Sequence, residues 1–440
     1  LSKVGFVSLG CSKNLVDTEN MIGILKEKGY TAVSDPSEAD IIVVNTCGFI
    51  DSAKQESIDA ILEMAQYKEG NCKMLVAAGC LAQRYSEDIK KELPEVDVIV
   101  GTGSYKNIAE AIEEAMKNGK SEYKDDINFD IADEERFRTT PYYTAFLKIA
   151  EGCDNLCTYC AIPSIRGRYR SRSMESITSE AKKLAEDGVK EIILVAQDTT
   201  RYGIDLYGEK KLSSLLHELC SIEKLKWIRV HYCYPEEIDD ALIETFKNEE
   251  KLVKYLDIPV QHGCDSVLKR MGRKTTRKEI ENKVSSLRRA VPDITLRTSI
   301  IAGFPGETEE EFAELLDFTK TVRFDRMGVF AYSCEEGTPA AKMKGQLDEK
   351  TKEERRDKVM ELAQKISLER NKTMIGKVLE VVTEGFEDNL YFGRSGGESV
   401  DVDPKIYFGS LDELEEGQFV KVKIVDCDEY DLYAEQIEEE

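Results

Sequence analysis

Tryptophan occurs once and histidine three times in this 440-residue chain. The histidines, His217, His231 and His262, are unclustered, no Ser-His-Asp arrangement is evident, and no Walker-type phosphate loop occurs. Basic residues are also short: 61 Lys plus Arg face 85 Asp plus Glu, a net charge of −24 and a pI near 4.8. Affinity for a phosphate backbone rests on basic side chains, so stable nucleic-acid binding is not expected, whereas a basic partner is allowed. Long apolar runs are missing too. Stretches such as Ile41–Val44 and Ile192–Ala196 fall far short of the ~20 residues of a membrane helix, and no secretory signal pattern appears. A soluble, cytoplasmic protein with no membrane association is the expectation. Cysteine, by contrast, is plentiful. Twelve thiols in a chain of this length do not make a small disulfide scaffold, and in a reducing compartment clustered thiols point to metal or redox duty.

With 41% hydrophobic and 33% charged residues the chain can build packed cores, and its length suggests roughly three domains. The first ~110 residues alternate β-branched runs with helical patterns, as in βαβ units around a parallel sheet. Strands are predicted at Val4–Leu9, Ile41–Asn45, Lys73–Ala78 and Val96–Val100, with helices at Asp17–Lys28, Ala53–Gln66 and Ser86–Leu93. Residues Asn118–Pro141, with the acidic run Asp133–Glu135, read as a linker. Strands then resume at Thr144–Ile149, Glu191–Ala196, Ile228–His231, Leu256–Pro259, Thr295–Ile301 and Met327–Ala331, fitting a partial or complete β/α barrel. A long charged helix is predicted over Asp348–Lys372. Beyond it Lys377–Thr383, Tyr391–Arg394, Phe419–Val425 and Leu432–Gln436 read as a small β-barrel.

Cys11, Cys47 and Cys80 follow FVSLG, IIVVNT and KMLVAAG, each just past the carboxyl end of a predicted strand. In an open parallel sheet those ends share one edge, where ligands bind, so three thiols distant in sequence can converge. Gly10, Gly48 and Gly79 would let backbone approach a bulky group. Three cysteinates suit an iron-sulfur cluster with one iron open, whereas a closed zinc site wants a fourth ligand. A small thiol buried at a strand end is the plainer alternative for any one of them, and Cys72 keeps that reading.

Cys153, Cys157 and Cys160 form a CxxxCxxC motif in the loop after the first strand of the barrel, which would lie at its catalytic face. A zinc half-site is the alternative, but no nearby Cys or His completes it. The spacing resembles the radical S-adenosylmethionine superfamily, in which an open iron chelates the cofactor and an injected electron cleaves it to a 5′-deoxyadenosyl radical. That resemblance implies cofactor contacts from Gln197 and Asp198 after the second strand and from Arg297, Ser299, Gly303 and Phe304 around the fifth, in LRTSIIAGFPGET. Taken alone, GFPGET is a strand-turn-helix signal with Thr308 or Glu307 as cap.

Both triads together, with KIAEGCDNLCTYCAIPSIRGRYRSR and GCSKNLVDTENM, resemble the methylthiotransferase family over the whole chain. The fold class implied is α/β: an N-terminal open parallel α/β domain over 1–117, a linker over 118–140, a radical S-adenosylmethionine partial (β/α) barrel over 141–370, and a small antiparallel C-terminal β-barrel of TRAM type over 371–440. The cofactors implied are two 4Fe-4S clusters and S-adenosylmethionine. One cofactor molecule would methylate a sulfur on the Cys11/Cys47/Cys80 cluster, and another would be cleaved at the Cys153/Cys157/Cys160 cluster. The radical would take a hydrogen from the substrate carbon, which then captures the methylthio group. A flavodoxin or ferredoxin-type donor would supply the electron.

The family divides mainly between tRNA-modifying enzymes and enzymes that methylthiolate the β-carbon of an aspartate on ribosomal protein S12. From Asn371 to Glu440 there are 19 Asp plus Glu and 6 Lys plus Arg, a net of −13. Such a domain would repel RNA and attract a basic protein, which favours the S12 branch over the tRNA (adenosine) branch; plain solubility is the other account of the acidity. PVQHGCDSVLKRMGR at Pro259–Arg273 also resembles the S12 branch. A zinc-organised binding protein without catalysis is a further alternative. Arg166, Arg168, Arg170 and Arg172 alternate at period two, so an extended segment would point them to one side, to hold a carboxylate or to form salt bridges. Cys72, Cys220, Cys233, Cys264, Cys334 and Cys427 read as ordinary reduced thiols, and His262, beside Gln261, as a candidate for the barrel mouth.

Overall fold

The computed structural model describes residues 2–129, 131 and 136–437. Its first sheet comprises β1 (Lys3–Ser8), β2 (Thr31–Val33), β3 (Ile41–Thr46), β4 (Met74–Ala78), β5 (Val98–Gly101) and β6 (Ser121–Tyr123), in the order β2-β1-β3-β4-β5-β6. Every pairing is parallel. The central strands β3 and β4 are buried along their whole length, as continuous apolar runs in a doubly covered sheet should be. Alternate residues part to opposite faces. Val43, Val76 and Val98 pack on Met21, Leu25 and Ile112. Ile42, Leu75 and Ile99 pack on Ile61, Met64 and Ile89.

The second sheet takes β7 (Thr144–Lys148), after which β8 (Ala150–Glu151) and β9 (Arg170–Ser171) form a short antiparallel pair. It continues with β10 (Glu191–Val195), β11 (Trp227–Val230), β12 (Leu252–Asp257), β13 (Thr295–Ala302) and β14 (Arg326–Ala331). The strand order β14-β13-β12-β11-β10-β7 follows the chain without crossing, and β7 and β14 do not pair. The sheet is therefore an open, partial barrel. Leu147, Ile192, Ile228, Leu256 and Leu296 face the outer helices in the largest core of the molecule. The opposite face of these strands carries Phe146, Ile193, Arg229, His231, Tyr255, Asp257 and Arg297.

The helix Glu349–Lys372, capped by Asp348, leads to β15 (Val378–Glu387), β16 (Leu390–Ser395), β17 (Ile406–Gly409), β18 (Phe419–Cys427) and β19 (Leu432–Gln436). These close a barrel in the order β15-β16-β17-β19-β18, antiparallel except for the parallel pair β17–β19. Five short strands escape the sequence pattern: β2 and β6 at the edges of the first sheet, the pair β8 and β9, and β17. β6 lies inside the expected linker and extends the sheet; the run Asp133–Glu135 is outside the described residues. The first helix starts at Ser12 instead of Asp17, directly after Cys11, and a further helix, Gly79–Arg84, contains Cys80.

Candidate active site

Cys11 caps the helix Ser12–Glu27, Cys47 directly follows β3, and Cys80 is the second residue of the helix after β4. The three turns lie against one another at the carboxyl edge of the sheet. A Cβ on Gly10 would stand 2.9 Å from the Cys47 Cβ, and one on Gly48 would stand 2.9 Å from the Leu81 backbone, next to Cys80. Gly79, at φ +88°, has no room for a side chain beside Asn45. Burial pushes the Cys47 thiol up to about 11, with the neighbouring Cys80 and Cys11 adding to the effect. Burial likewise raises Cys80, against the pull of Arg166.

The second triad sits in a loop pinned at its base by the β8–β9 pair. The Cys153 amide donates to the Gly167 carbonyl at 3.1 Å, and Gly152, at φ +79°, lies so close to Arg168 that a Cβ would meet its carbonyl oxygen at 2.0 Å. Cys153 and Cys157 are buried and Cys160 is half-buried. Burial raises Cys153 to about 11 and raises Cys160 further. The Asn155 amide approaches the Cys153 Sγ at 3.5 Å. Positive φ values at Leu156, Tyr232 and Gln261 place strained non-glycine backbone in the loops after β7, β11 and β12, around the same mouth.

One segment joins the two triads. Residues Ala161 and Ile165, immediately after Cys160, pack on Cys80. Arg166 is 3% exposed and reaches back across the same contact. Its Nη2 donates to Asn14 Oδ1 at 3.1 Å and to Cys80 Sγ at 3.4 Å, while Nη1 donates to Asp17 at 2.5 Å and to Glu151 at 3.1 Å. Lys148 pairs with the same two carboxylates, at 2.5 Å and 2.8 Å. Burial works against the charge on Glu151, but Lys148 and Arg166 hold its pKa well below the usual range. Two acids and two bases thus neutralise one another in a dry contact between the sheets.

The period-two arginines do not share a face. Arg166 ends the helix Ile162–Arg166, and Gly167 at φ +73° turns the chain before extended structure resumes at β9. Arg168 pairs with Asp154 at 2.7 Å on the surface, and Arg172 is buried against Glu180 at 2.6 Å. His262 is fully buried and bonds Glu307 at 3.1 Å; His231 lies on the inner face of the partial barrel, bonded to Ser399 at 2.7 Å.

Gln197 and Asp198 do meet the second triad's loop. Gln197 donates to Glu151 at 2.6 Å, and Asp198 accepts from Asn155 at 2.8 Å; burial raises Asp198 to about 6, opposed by Thr200 and Asn155. Arg297 bonds Asp257 at 3.2 Å and lies 3.5 Å from Asp403, which the C-terminal barrel sends in on the loop 395–404. Ser299 is half-buried on the same strand. Gly303 and Phe304 directly follow β13. The Gly303 amide is taken by Glu307 at 3.1 Å, and Phe304 is fully buried edge-on to Tyr332, in a cluster against which Tyr159 of the triad loop packs. Sequence reading passes over Asp17, Lys148 and the loop 395–404, whose roles depend on contacts far apart in the chain.

The donor set fits iron-sulfur clusters. Each triad offers three thiols, and among the described residues no three Cys, His, Asp or Glu gather at the spacing of a single-ion site. A cubane spreads its thiolates over a larger body, and iron would remove the proton that burial otherwise favours on Cys47, Cys80, Cys153 and Cys160. Ser12 Oγ beside Cys11 and Gln197 Oε1 beside the second triad are buried without a hydrogen-bond partner among the described residues, leaving polar atoms at both places for a bound group.

Three family models match separate stretches of the chain. Residues 3–101 match the model described as Uncharacterized protein family UPF0004, residues 147–319 the Radical SAM superfamily, and residues 375–437 the TRAM domain. The chain is 53% identical over 440 residues to "Ribosomal protein uS12 methylthiotransferase RimO" of Clostridioides difficile (strain 630), covering 99% of each chain. It is 53% identical over 447 residues to the protein of the same name from Acetivibrio thermocellus, again covering 99% of each. Among solved structures, the radical S-adenosylmethionine methyltransferase TsrM from Kitasatospora setae, with cobalamin and a 4Fe-4S cluster bound, shares the fold. Its TM-score is 0.56 at 14% identity, over 77% of each chain.

Proposed function

We infer that this chain, which belongs to the ribosomal protein uS12 methylthiotransferase family, attaches a methylthio group to the β-carbon of an aspartate in that ribosomal protein. In this reading Cys11, Cys47 and Cys80 hold one 4Fe-4S cluster and Cys153, Cys157 and Cys160 hold a second. When bound, the clusters and S-adenosylmethionine supply the sulfur, the methyl group and a radical strong enough to break an unactivated C–H bond, for which acid-base residues would not suffice. The observation that carries the reading is the contact of Cys80 with Ala161 and Ile165, which brings a sulfur-donating site against the loop of a radical-generating one.

The chain's own residues then have separable tasks. Three thiols per triad would hold three irons of a four-iron cluster and leave the fourth open to another ligand. Gln197 holds Glu151 and presents its unpartnered carbonyl toward the same loop, where it can take an amino group of S-adenosylmethionine. Asp198, anchored by Asn155 and Thr200, fixes the loop between Cys153 and Cys157. Arg297 and Ser299 lie on the barrel's inner face; Gly303 and Phe304 support the loop from behind through Tyr159. The acidic C-terminal barrel, with Asp412, Glu413, Glu415 and Glu416 exposed, offers a basic ribosomal protein a docking face. A flavodoxin or ferredoxin-type protein in the cytoplasm donates the electron.

Anaerobic reconstitution with iron and sulfide, followed by incubation with S-adenosylmethionine, a reductant and purified S12, tests this directly. About eight irons and eight sulfides per chain are expected, and S12 should gain one methylthio group on an aspartate by mass spectrometry. Zinc in place of iron, or methylthio-adenosine in tRNA with unmodified S12, refutes it.

A further inference from the structure

We propose that Arg166 is a positioning residue for the sulfur-donating cluster: its guanidinium donates a hydrogen bond to the Cys80 thiolate, raising that cluster's reduction potential and fixing it to the radical loop. The proposal rests on the assignment of the first triad to a cluster and adds a role for a residue of the second loop. Three observations carry it.

The first is reach. Arg166 Nη2 lies 3.4 Å from Cys80 Sγ, a sulfur contributed by the other sheet. The second is the surroundings. With 3% exposure the contact is dry, and a charge-assisted bond in a low-dielectric site is stronger than one in water. Nη1 is held by Asp17 and Glu151 and Nη2 also by Asn14, so the planar fork has one orientation, and that orientation aims an N–H at the sulfur. The third is connectivity. Arg166 ends the helix that starts just past Cys160, and the Thr102 hydroxyl fastens the preceding Ile165 carbonyl at 2.5 Å. A shift of the radical loop is therefore transmitted to the bond on Cys80. Donation to a ligand sulfur draws electron density from the cluster, and hydrogen bonds to sulfur are among the levers that set cluster potentials. Arg273 stands in a looser relation to the second triad, 4.0 Å from Cys157.

The test uses the full-length chain with Cys153→Ala, Cys157→Ala and Cys160→Ala, which leaves the first triad alone. Lysine at 166 keeps the cation required by Asp17 and Glu151, so folding is preserved, but it lacks the second donor arm that reaches Cys80. In protein labelled with 15N-arginine, pulsed EPR of the reduced cluster should show a 15N coupling that R166K abolishes. An EPR-monitored titration should place the midpoint of R166K lower by a factor of about ten in the reduction equilibrium, ~59 mV for one electron. A four-iron cluster whose 15N spectrum and potential are unchanged by R166K overturns the proposal alone. Absence of any cluster in the parent overturns the assignment of the triad and the proposal with it.

Discussion

Glu311 accepts Arg270 on both oxygens, at 2.8 and 2.6 Å, as well as the Thr308 amide at 3.0 Å and the Ser266 hydroxyl. The bond to Arg270, against a smaller opposing effect of burial, holds its pKa down to about 2. A carboxyl depressed in the folded state stabilises at pH values above its unfolded pKa, and that stability is lost as pH falls toward 2. Glu311→Gln should therefore cost about 1 kcal/mol at neutral pH, after allowance for solvent screening of a partly exposed pair, and almost nothing at pH 2. Urea unfolding of both proteins at the two pH values reads the difference. Gly152 tests the second triad instead. Its positive φ and the 2.0 Å approach to the Arg168 carbonyl forbid a side chain, so Gly152→Ala should open the loop and lower iron from about eight to about four per chain, with the first triad retained. Among single residues, the cysteines stand out most in the sequence. The cysteine spacings show in the chain because each thiol sits at a fixed offset from a strand end. The arginine series misleads, because a period of two implies one face only in extended backbone, and Gly167 at φ +73° breaks it.

Elements were legible where burial dictates composition. β3 and β4 are continuous apolar runs because both faces are covered, while β2 and β6 are three-residue edge strands with exposed positions and little pattern to see. The loop 395–404 has no pattern at all, yet it closes the inside of the partial barrel. Val400 packs on the cluster of Val16, Phe146, Ile193 and Val195, Ser399 bonds His231, and Asp403 accepts the Tyr255 hydroxyl at 2.7 Å. Nothing in its glycines and aspartates shows that it is covered; the contacts with the second sheet do. Burial, with Arg229 and other nearby cations, keeps His231 neutral well below its usual pKa, so its ring has one donor and one acceptor to satisfy. Ser399→Ala removes the partner of a buried nitrogen and should cost about 1–3 kcal/mol, measured by chemical denaturation of the metal-free chain. No loss of stability would mean that the loop does not seat in the barrel interior in solution.

At the scale of the whole molecule, charge is distributed by task. The contact between the first two sheets is internally neutral, with Asp17 and Glu151 matched by Lys148 and Arg166. The contact between the second and third is similarly matched: Glu191 and Glu384 with Arg229 and Arg394, and Glu398 with Arg326. The excess acid is left on the outside of the C-terminal barrel. Among its described residues Asp412, Glu413, Glu415 and Glu416 surround the fully exposed Leu411 and have no cation paired with them. An unpaired acidic edge does little for the stability of the chain itself, since surface charges repel and are screened, but it steers a basic partner at long range. Reversing the four to lysine should therefore raise KM for S12 about tenfold at low salt and leave kcat within a factor of about two, because the cysteine triads lie on other elements. The gap between the parent and the variant should close as salt rises past ~0.1 M, where the screening length falls to ~10 Å. Cleavage of S-adenosylmethionine in the absence of S12 should be the same in both proteins, which separates lost docking from lost chemistry. A KM that ignores both the reversal and the salt would move the docking face off this barrel.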